Sequence, residues 1–349
     1  MQIRAYDGDG EDAARLMHRV WTKTYQGKMW FPLWSPEFLR WQFGGDDRRL
    51  CVAAYDDDRL VGTFFASPHS LRIGSTVYPM TFSSWCTVDQ DFRLPRLTVD
   101  MIEAMRRGHL DTGRAFSLGI VSGSPDSVAN RFWALYGKAC PQNYRVIAKV
   151  SYWSKVLNPT ALVKGSIAWW ERGIARLLGP VLKPIPWARG SELRPYDSRD
   201  LDSCAQLLER ADARLDWAVS WSAPQLARQL EGPVARTLVL ERDGRVQAMV
   251  NYHHMQLQGV VTMKFALIDL CAMPDVSMVT ASRVFGGVCA QMRDEGVDVI
   301  VCLRSAMFPT PALVANAFIP LPGGDQLVAL FPQPHVPLAP PRTWSLLLR

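Results

Sequence analysis

Two periods alternate along this chain. Phe82 to Val88 is a short apolar run that reads as a buried strand. A polar loop follows, and from about Thr98 the apolar positions Val99, Met101, Ile102 and Met105 fall at helical spacing. A strand that feeds a loop into a helix N-terminus is an anion site by construction, because the first-turn N–H groups lack intrahelical partners and the helix dipole favours negative charge. Two arginines, Arg93 and Arg96, lie in that loop.

The same patterns recur further on. IRAYD from Ile3 is echoed by LRPYD from Leu193, each opening an amphipathic helix (13–21 and 201–208). SPEFLRWQFG from Ser35 is echoed by SAPQLARQLEG from Ser222, with a serine suited to cap a helix and a glycine suited to stop it. LCVAAYDDDRLVG from Leu50 and LVLERDGRVQA from Leu238 both read as strand, Asp-rich turn and strand, a β-hairpin. PDSVANRF from Pro125 matches PALVANAF from Pro311. All four offsets fall between 186 and 190 residues, in the same order, which marks an internal duplication. Each half reads strand, helix, helix, hairpin, central strand, helix, strand, helix, strand. The predicted class is α/β, with two tandem units that each hold a mixed sheet flanked by helices. The expected boundaries are 1–157 for the first unit, 158–190 for a linker, and 191–349 for the second unit with its proline-rich tail (332–341).

Within the linker, Ile167, Trp170, Ile174, Leu177 and Val181 fall near helical spacing, with Arg172 and Arg176 off that face. One reading is a helix packed across both halves. The other is an interfacial anchor over 166–187, since tryptophan with basic residues on an amphipathic helix suits a membrane surface.

Composition narrows the picture. Of 349 residues, 48% are hydrophobic and 21% charged, as in a globular protein with a full core, and no apolar run is long enough to span a membrane. The N-terminus has no apolar signal region, and the seven cysteines are scattered singly, without metal-ligand or disulfide spacing. They read as reduced core residues, and the expected compartment is cytoplasmic. Net charge is +6, spread rather than blocked. That suits phosphorylated ligands or an acidic acyl carrier protein, and no nucleic-acid-binding motif accompanies it.

The stretch from Ser83 to Arg107 resembles the cofactor-binding segment of the GCN5-related N-acetyltransferases (GNAT), whose phosphate loop follows the pattern Q/R-x-x-G-x-G/A. Here it reads RLPRLT, Arg93 to Thr98, with the arginine kept and both small residues replaced. The helix pattern N-x-x-A-x-x-L-Y-x-x-x-G is similar to Asp126, Ala129, Phe132, Trp133 and Gly137. The resemblance implies two GNAT units, the first binding acetyl-CoA, another acyl-CoA or a phosphopantetheine thioester. Cys86, Thr87 and Val88 would meet the acyl and pantetheine portion. Arg93, Leu94, Pro95, Arg96, Leu97 and Thr98 would meet the pyrophosphate, with Asn130 and Trp133 alongside. Pro95 removes one N–H donor and Arg96 adds charge.

In the family a tyrosine at the Trp133 position commonly protonates the leaving thiolate; Tyr136, three residues on, is the nearby phenol. Family members often place a glutamate base on the fourth strand. This chain has Ser83 and Ser84 there, with His69 as the titratable candidate. His69, Ser84 and Tyr136 are therefore the candidate catalytic residues. No metal-ligand spacing is readable. The second half has no glycine loop or matching arginine at 268–283 and reads as non-catalytic. The implied activity is acyl transfer to the amine of a small biosynthetic metabolite by direct attack. The alternatives are a degenerate pair serving as a binding scaffold, and a membrane-surface acyltransferase acting on a lipid amine.

Overall fold

The computed structural model describes residues 1–43, 48–92, 96–124, 127–165, 193–321, 323–333, 336 and 338–347. The linker helix expected at 167–181, with the anchor reading over 166–187, lies outside them, as do Arg93, Leu94 and Pro95.

Two mixed sheets are built from matching elements. The first half contributes β1 (Gln2–Ala5), α1 (Glu11–Tyr25), β2 (Phe31–Leu33), α2 (Pro36–Phe43), β3 (Cys51–Asp56), β4 (Arg59–Ile73), β5 (Thr76–Val88), α3 (Leu97–Asp111), β6 (Phe116–Val121), α4 (Val128–Ala139), β7 (Tyr144–Lys149) and β8 (Tyr152–Val156). After α5 (Pro159–Gly165), the second half repeats the series. It runs β9 (Leu193–Pro195), α6 (Leu201–Asp212), β10 (Trp217–Ser220), α7 (Ala223–Leu230), β11 (Ala235–Arg242), β12 (Arg245–Gln258), β13 (Thr262–Ala272), α8 (Met278–Asp294), β14 (Val299–Leu303), α9 (Thr310–Ala315), β15 (Ile319–Leu321) and β16 (Gln326–Leu330). A short β17 (Trp344–Ser345) closes the chain. The duplication read from the sequence is therefore matched element for element.

Local chemistry explains the shared elements. Ser222 caps α7 in a reciprocal box with Gln225, and Ser127 and Ser277 accept N–H bonds at the starts of α4 and α8. The hairpins β3–β4 and β11–β12 turn through Asp57 and Asp243, both in the left-handed region at φ 50° and 51°. Aspartate tolerates that conformation better than most residues, and Gly244 follows at φ 71°.

The halves exchange strands reciprocally. The first sheet runs β1-β3-β4-β5-β6-β16-β7, and the second runs β9-β11-β12-β13-β14-β8-β15. Thus β8 sits antiparallel between β14 and β15, while β16 sits antiparallel between β6 and β7. Short strands cross as well: β10 extends β4, and β2 extends β12. Sheet membership therefore does not follow the expected boundaries at 157 and 191. One apolar core joins the halves, with Leu71, Phe82 and Leu118 from the first packed with Val239, Met249 and Leu270 from the second. Leu346 and Leu347, past β17, are buried in that same core.

Candidate active site

The site begins with a fault in the sheet. Along β4 and β5 the register passes from Thr63↔Thr87 to Phe65↔Ser84, so Trp85 and Cys86 together oppose the single Phe64. This is a β-bulge on β5. On its other edge β5 pairs in parallel with β6 only from Met80↔Phe116 to Phe82↔Leu118. Beyond Leu118, β6 continues against β16. Among the described residues, the β6-facing edge of β5 from Ser83 to Val88 has no strand partner, so its N–H and C=O groups face an opening between splayed strands. Where β6 ends, Gly123 approaches the loop before β16 so closely that a Cβ would overlap the Gly324 carbonyl.

A cavity of about 250 Å³ lies at this opening. Cys86, Thr87 and Val88 of β5 form its floor. Val20, Trp21, Thr24 and Tyr25 of α1 form one wall; Thr98 of α3 and Val128, Ala129, Phe132 and Trp133 of α4 form the other. The Trp21 indole N–H donates to the Thr87 hydroxyl at 2.9 Å, which ties α1 to the floor. The turn after β5 is held by charge: Asp89, 4% exposed, accepts from Arg19 at 2.8 Å and Arg59 at 3.0 Å, and Lys23 pairs with Asp91 at 3.3 Å. Burial pushes the Asp89 carboxyl up. The Arg19 hydrogen bond, the Asp91 amide and the two guanidinium charges outweigh it and leave the group below its ordinary value. The Gln90 amide donates to Thr24 at 2.6 Å. Helix α3 then starts beside the cavity, and among the described residues no side chain caps its first-turn N–H groups, which suit an anion.

Of the residues singled out from sequence, Cys86, Thr87, Val88, Thr98 and Trp133 meet at this cavity. Leu97 is buried in the core beneath α3. The Arg96 side chain is exposed and pairs with Asp100 at 3.2 Å. Asn130 serves the start of α4, its amide donating to the Ser124 carbonyl at 3.4 Å and its backbone N–H to the Ser127 hydroxyl at 3.2 Å.

The three catalytic candidates do not converge. Tyr136 is buried against Phe132, Trp133 and Tyr144, and burial pushes its phenol up to about 12. Ser84 is buried beside the bulge, and its hydroxyl has no hydrogen-bond partner among the described residues. His69 pairs in register with Met80 rather than Ser84 and packs edge-on against Phe82 and Trp221. Four register steps separate His69 from Ser84, about 14 Å along the strands, so the two form no nucleophile–base pair. The Cys86 thiol is pushed up to about 12 by burial and stays protonated at neutral pH.

The α1 wall was missed from sequence. Its signal was Trp21 and Tyr25 at i and i+4, two aromatics at the edge of an otherwise ordinary amphipathic helix.

This arrangement, two duplicated mixed sheets with splayed strands over a helix N-terminus, is a tandem two-domain GNAT-like fold. Three similar solved structures are N-myristoyltransferases of Saccharomyces cerevisiae. One crystallised with bound myristoyl-CoA is 14% identical, with a TM-score of 0.77 over 96% of this chain and 80% of that one. Another with myristoyl-CoA gives 14% and 0.76 over 96% and 83%. A third, with myristoyl-CoA and inhibitors, gives 13% and 0.74 over 99% and 81%. No family profile and no curated protein matches the chain. At this identity the likeness is one of fold. Among the described residues no helix is long and apolar enough to cross a membrane, and no cluster of side chains could hold a metal ion.

Proposed function

We propose that this protein is an acyltransferase that moves an acyl group from an acyl-CoA thioester to the amine of a small metabolite. The observation that carries the reading is the β5 edge from Ser83 to Val88, left without a strand partner above the bulge and opening on a cavity walled by α1 and α4. Likeness to proteins crystallised with myristoyl-CoA supports the donor class.

In this reading the pantetheine arm lies along β5 as an added strand partner, and the pyrophosphate meets the N-terminus of α3. Strand N–H groups near the bulge polarise the thioester carbonyl and hold the oxyanion of the tetrahedral intermediate. The amine attacks directly: its C–N bond forms, the C–S bond breaks, and the second amine proton accompanies the departing thiol. A protonated, half-buried Cys86 and a Ser84 with no base beside it among the described residues fit a route without an acyl-enzyme.

Calorimetric titration with coenzyme A, acetyl-CoA and myristoyl-CoA tests this. Saturable binding of an acyl-CoA, followed by thiol release on adding an amine, is the expected result. If none of the three binds, the donor site does not exist and the fold serves a binding role instead.

A further inference from the structure

A second cavity, of about 260 Å³, lies where the halves cross. Strand β2 leaves its own half and pairs with β12, Leu33 opposite Gln256. Trp34, Phe38 and Met255 give the cavity an apolar side, with the Trp34 and Phe38 rings 4.7 Å apart. His254, Gln256 and Lys264 give it a polar one. Its volume is at the low end for small-molecule sites. The donor cavity is close in the chain: Tyr25, on its wall, packs on Phe31 of β2, two residues before Leu33.

The charge on the polar side is one-signed. None of the described side chains lining the cavity is acidic. Lys264 donates one of its three N–H bonds to the Glu295 carbonyl at 2.7 Å, which leaves donors for a ligand. His254 is held at 2.8 Å by the Glu295 carboxylate, which also accepts from the Tyr252 hydroxyl and the Gln291 amide. Burial and the Lys264 charge push the His254 imidazole down, against the pull of Glu295.

Resting on the acyl-transfer reading, we propose that this cavity seats the acceptor, and that Lys264 reads an anionic group on it. The acceptor class is an aminocarboxylate with an aromatic or branched apolar body, which lies against Trp34 and Phe38 while its carboxylate meets Lys264 and the Gln256 amide.

The probes are phenylalanine, tryptophan and leucine, each paired with its decarboxylated amine. Turnover is read as thiol release from whichever acyl-CoA the calorimetry selects, and equilibrium binding as quenching of Trp34 fluorescence, with Trp34→Phe as the blank. At least one aminocarboxylate should be preferred over its decarboxylated amine by about 10- to 100-fold in kcat/KM, and Lys264→Gln should collapse that ratio while Lys264→Arg keeps much of it. Equal use of acid and amine overturns the proposal, as does a ratio that survives Lys264→Gln. Should Lys264→Gln fail to fold, the wild-type ratio and the fluorescence titration still decide. Absence of acyl-CoA binding would defeat the acyl-transfer reading at the calorimetry, before any acceptor is added. Acyl-CoA binding with no aminocarboxylate bound or used would defeat this inference alone.

Discussion

Cys86 lies on the floor of the cavity proposed to take the acyl donor, where a covalent mechanism would place a nucleophile. Its burial argues the other way. A thiol pushed up to about 12 carries almost no thiolate at pH 7, and no histidine is found against it among the described contacts. Cys86→Ala should therefore preserve acyl-CoA affinity and turnover within a few-fold, with a stability loss of about 1 kcal/mol for the small volume removed. Calorimetry and thermal unfolding on the same sample check both halves of that statement. A collapse of turnover with donor binding intact would show that the thiol takes part. Trp133 invites a related remark. It stacks on Tyr144 at 5.6 Å and lines the cavity, and an indole has no phenolic proton to give a leaving thiolate.

At the scale of elements, the exchange of β8 and β16 decides what each half can do alone. The first sheet has β16 as an interior strand, so β6 and β7 are joined only through residues 326–330. Ala329 in its centre is fully buried, opposite Leu118 on one side and Arg145 on the other. Ala329→Pro removes a ladder donor from an interior strand, at a cost of about 3 kcal/mol or more. The thermal midpoint should fall on the order of 5–10 °C, and donor affinity should weaken although the substitution lies 243 residues from Cys86 in the chain. An unchanged midpoint in a thermal melt would mean that β16 is not integral to the first sheet in solution.

The repeat, the hairpins and the capped helices were legible because each is written in local pattern: Ser222 with Gln225, Asp57 and Asp243, apolar positions at helical spacing. The exchange was not. A five-residue apolar strand such as QLVAL satisfies either sheet equally, and its partner is chosen by tertiary packing that no window of sequence contains. The site divided along the same line. The cavity floor at Cys86 to Val88 could be placed because it follows strand order. The α1 wall depended on how a helix seats against the sheet, and the four register steps between His69, opposite Met80, and Ser84 are set by strand pairing that no window of sequence contains.

The whole molecule is joined at a point where three distant segments meet. Asp212 ends α6 of the second half. Arg72, near the end of β4 in the first half, donates to the Asp212 and Leu215 carbonyls. β10 is paired on one side with β4 and on the other with β17, which leads Leu346 and Leu347 into the shared core. Burial pushes the Asp212 carboxyl up to about 7, against the pull of the Arg72 charge and the Ser345 hydroxyl. A raised carboxyl is bound to its proton in the fold and has released it in the unfolded chain. Its contribution is therefore complete below the unfolded value near 4 and is lost as pH rises toward 7. Asp89 and Asp200, both lowered, work in the opposite sense: their contribution is present above the unfolded value and is lost as pH falls through their folded values. The raw pH profile mixes the two, so the comparison with Asp212→Asn isolates the joint. Urea midpoints at pH 5 and pH 7.5 should show the wild type losing stability relative to the variant as pH rises, by about 2.5 kcal/mol at the upper limit. Since burial is what opposes ionisation of Asp212, the same rise in pH should favour local opening that hydrates the carboxylate, loosening the contact between the halves and the C-terminal segment. Amide protection factors at residues 343–347, which correct for the base catalysis of exchange itself, would then fall above pH 7 in the wild type and stay level in Asp212→Asn. Equal pH dependence in both proteins would place the titrating group elsewhere and leave Asp212 as an ordinary buried carboxylate.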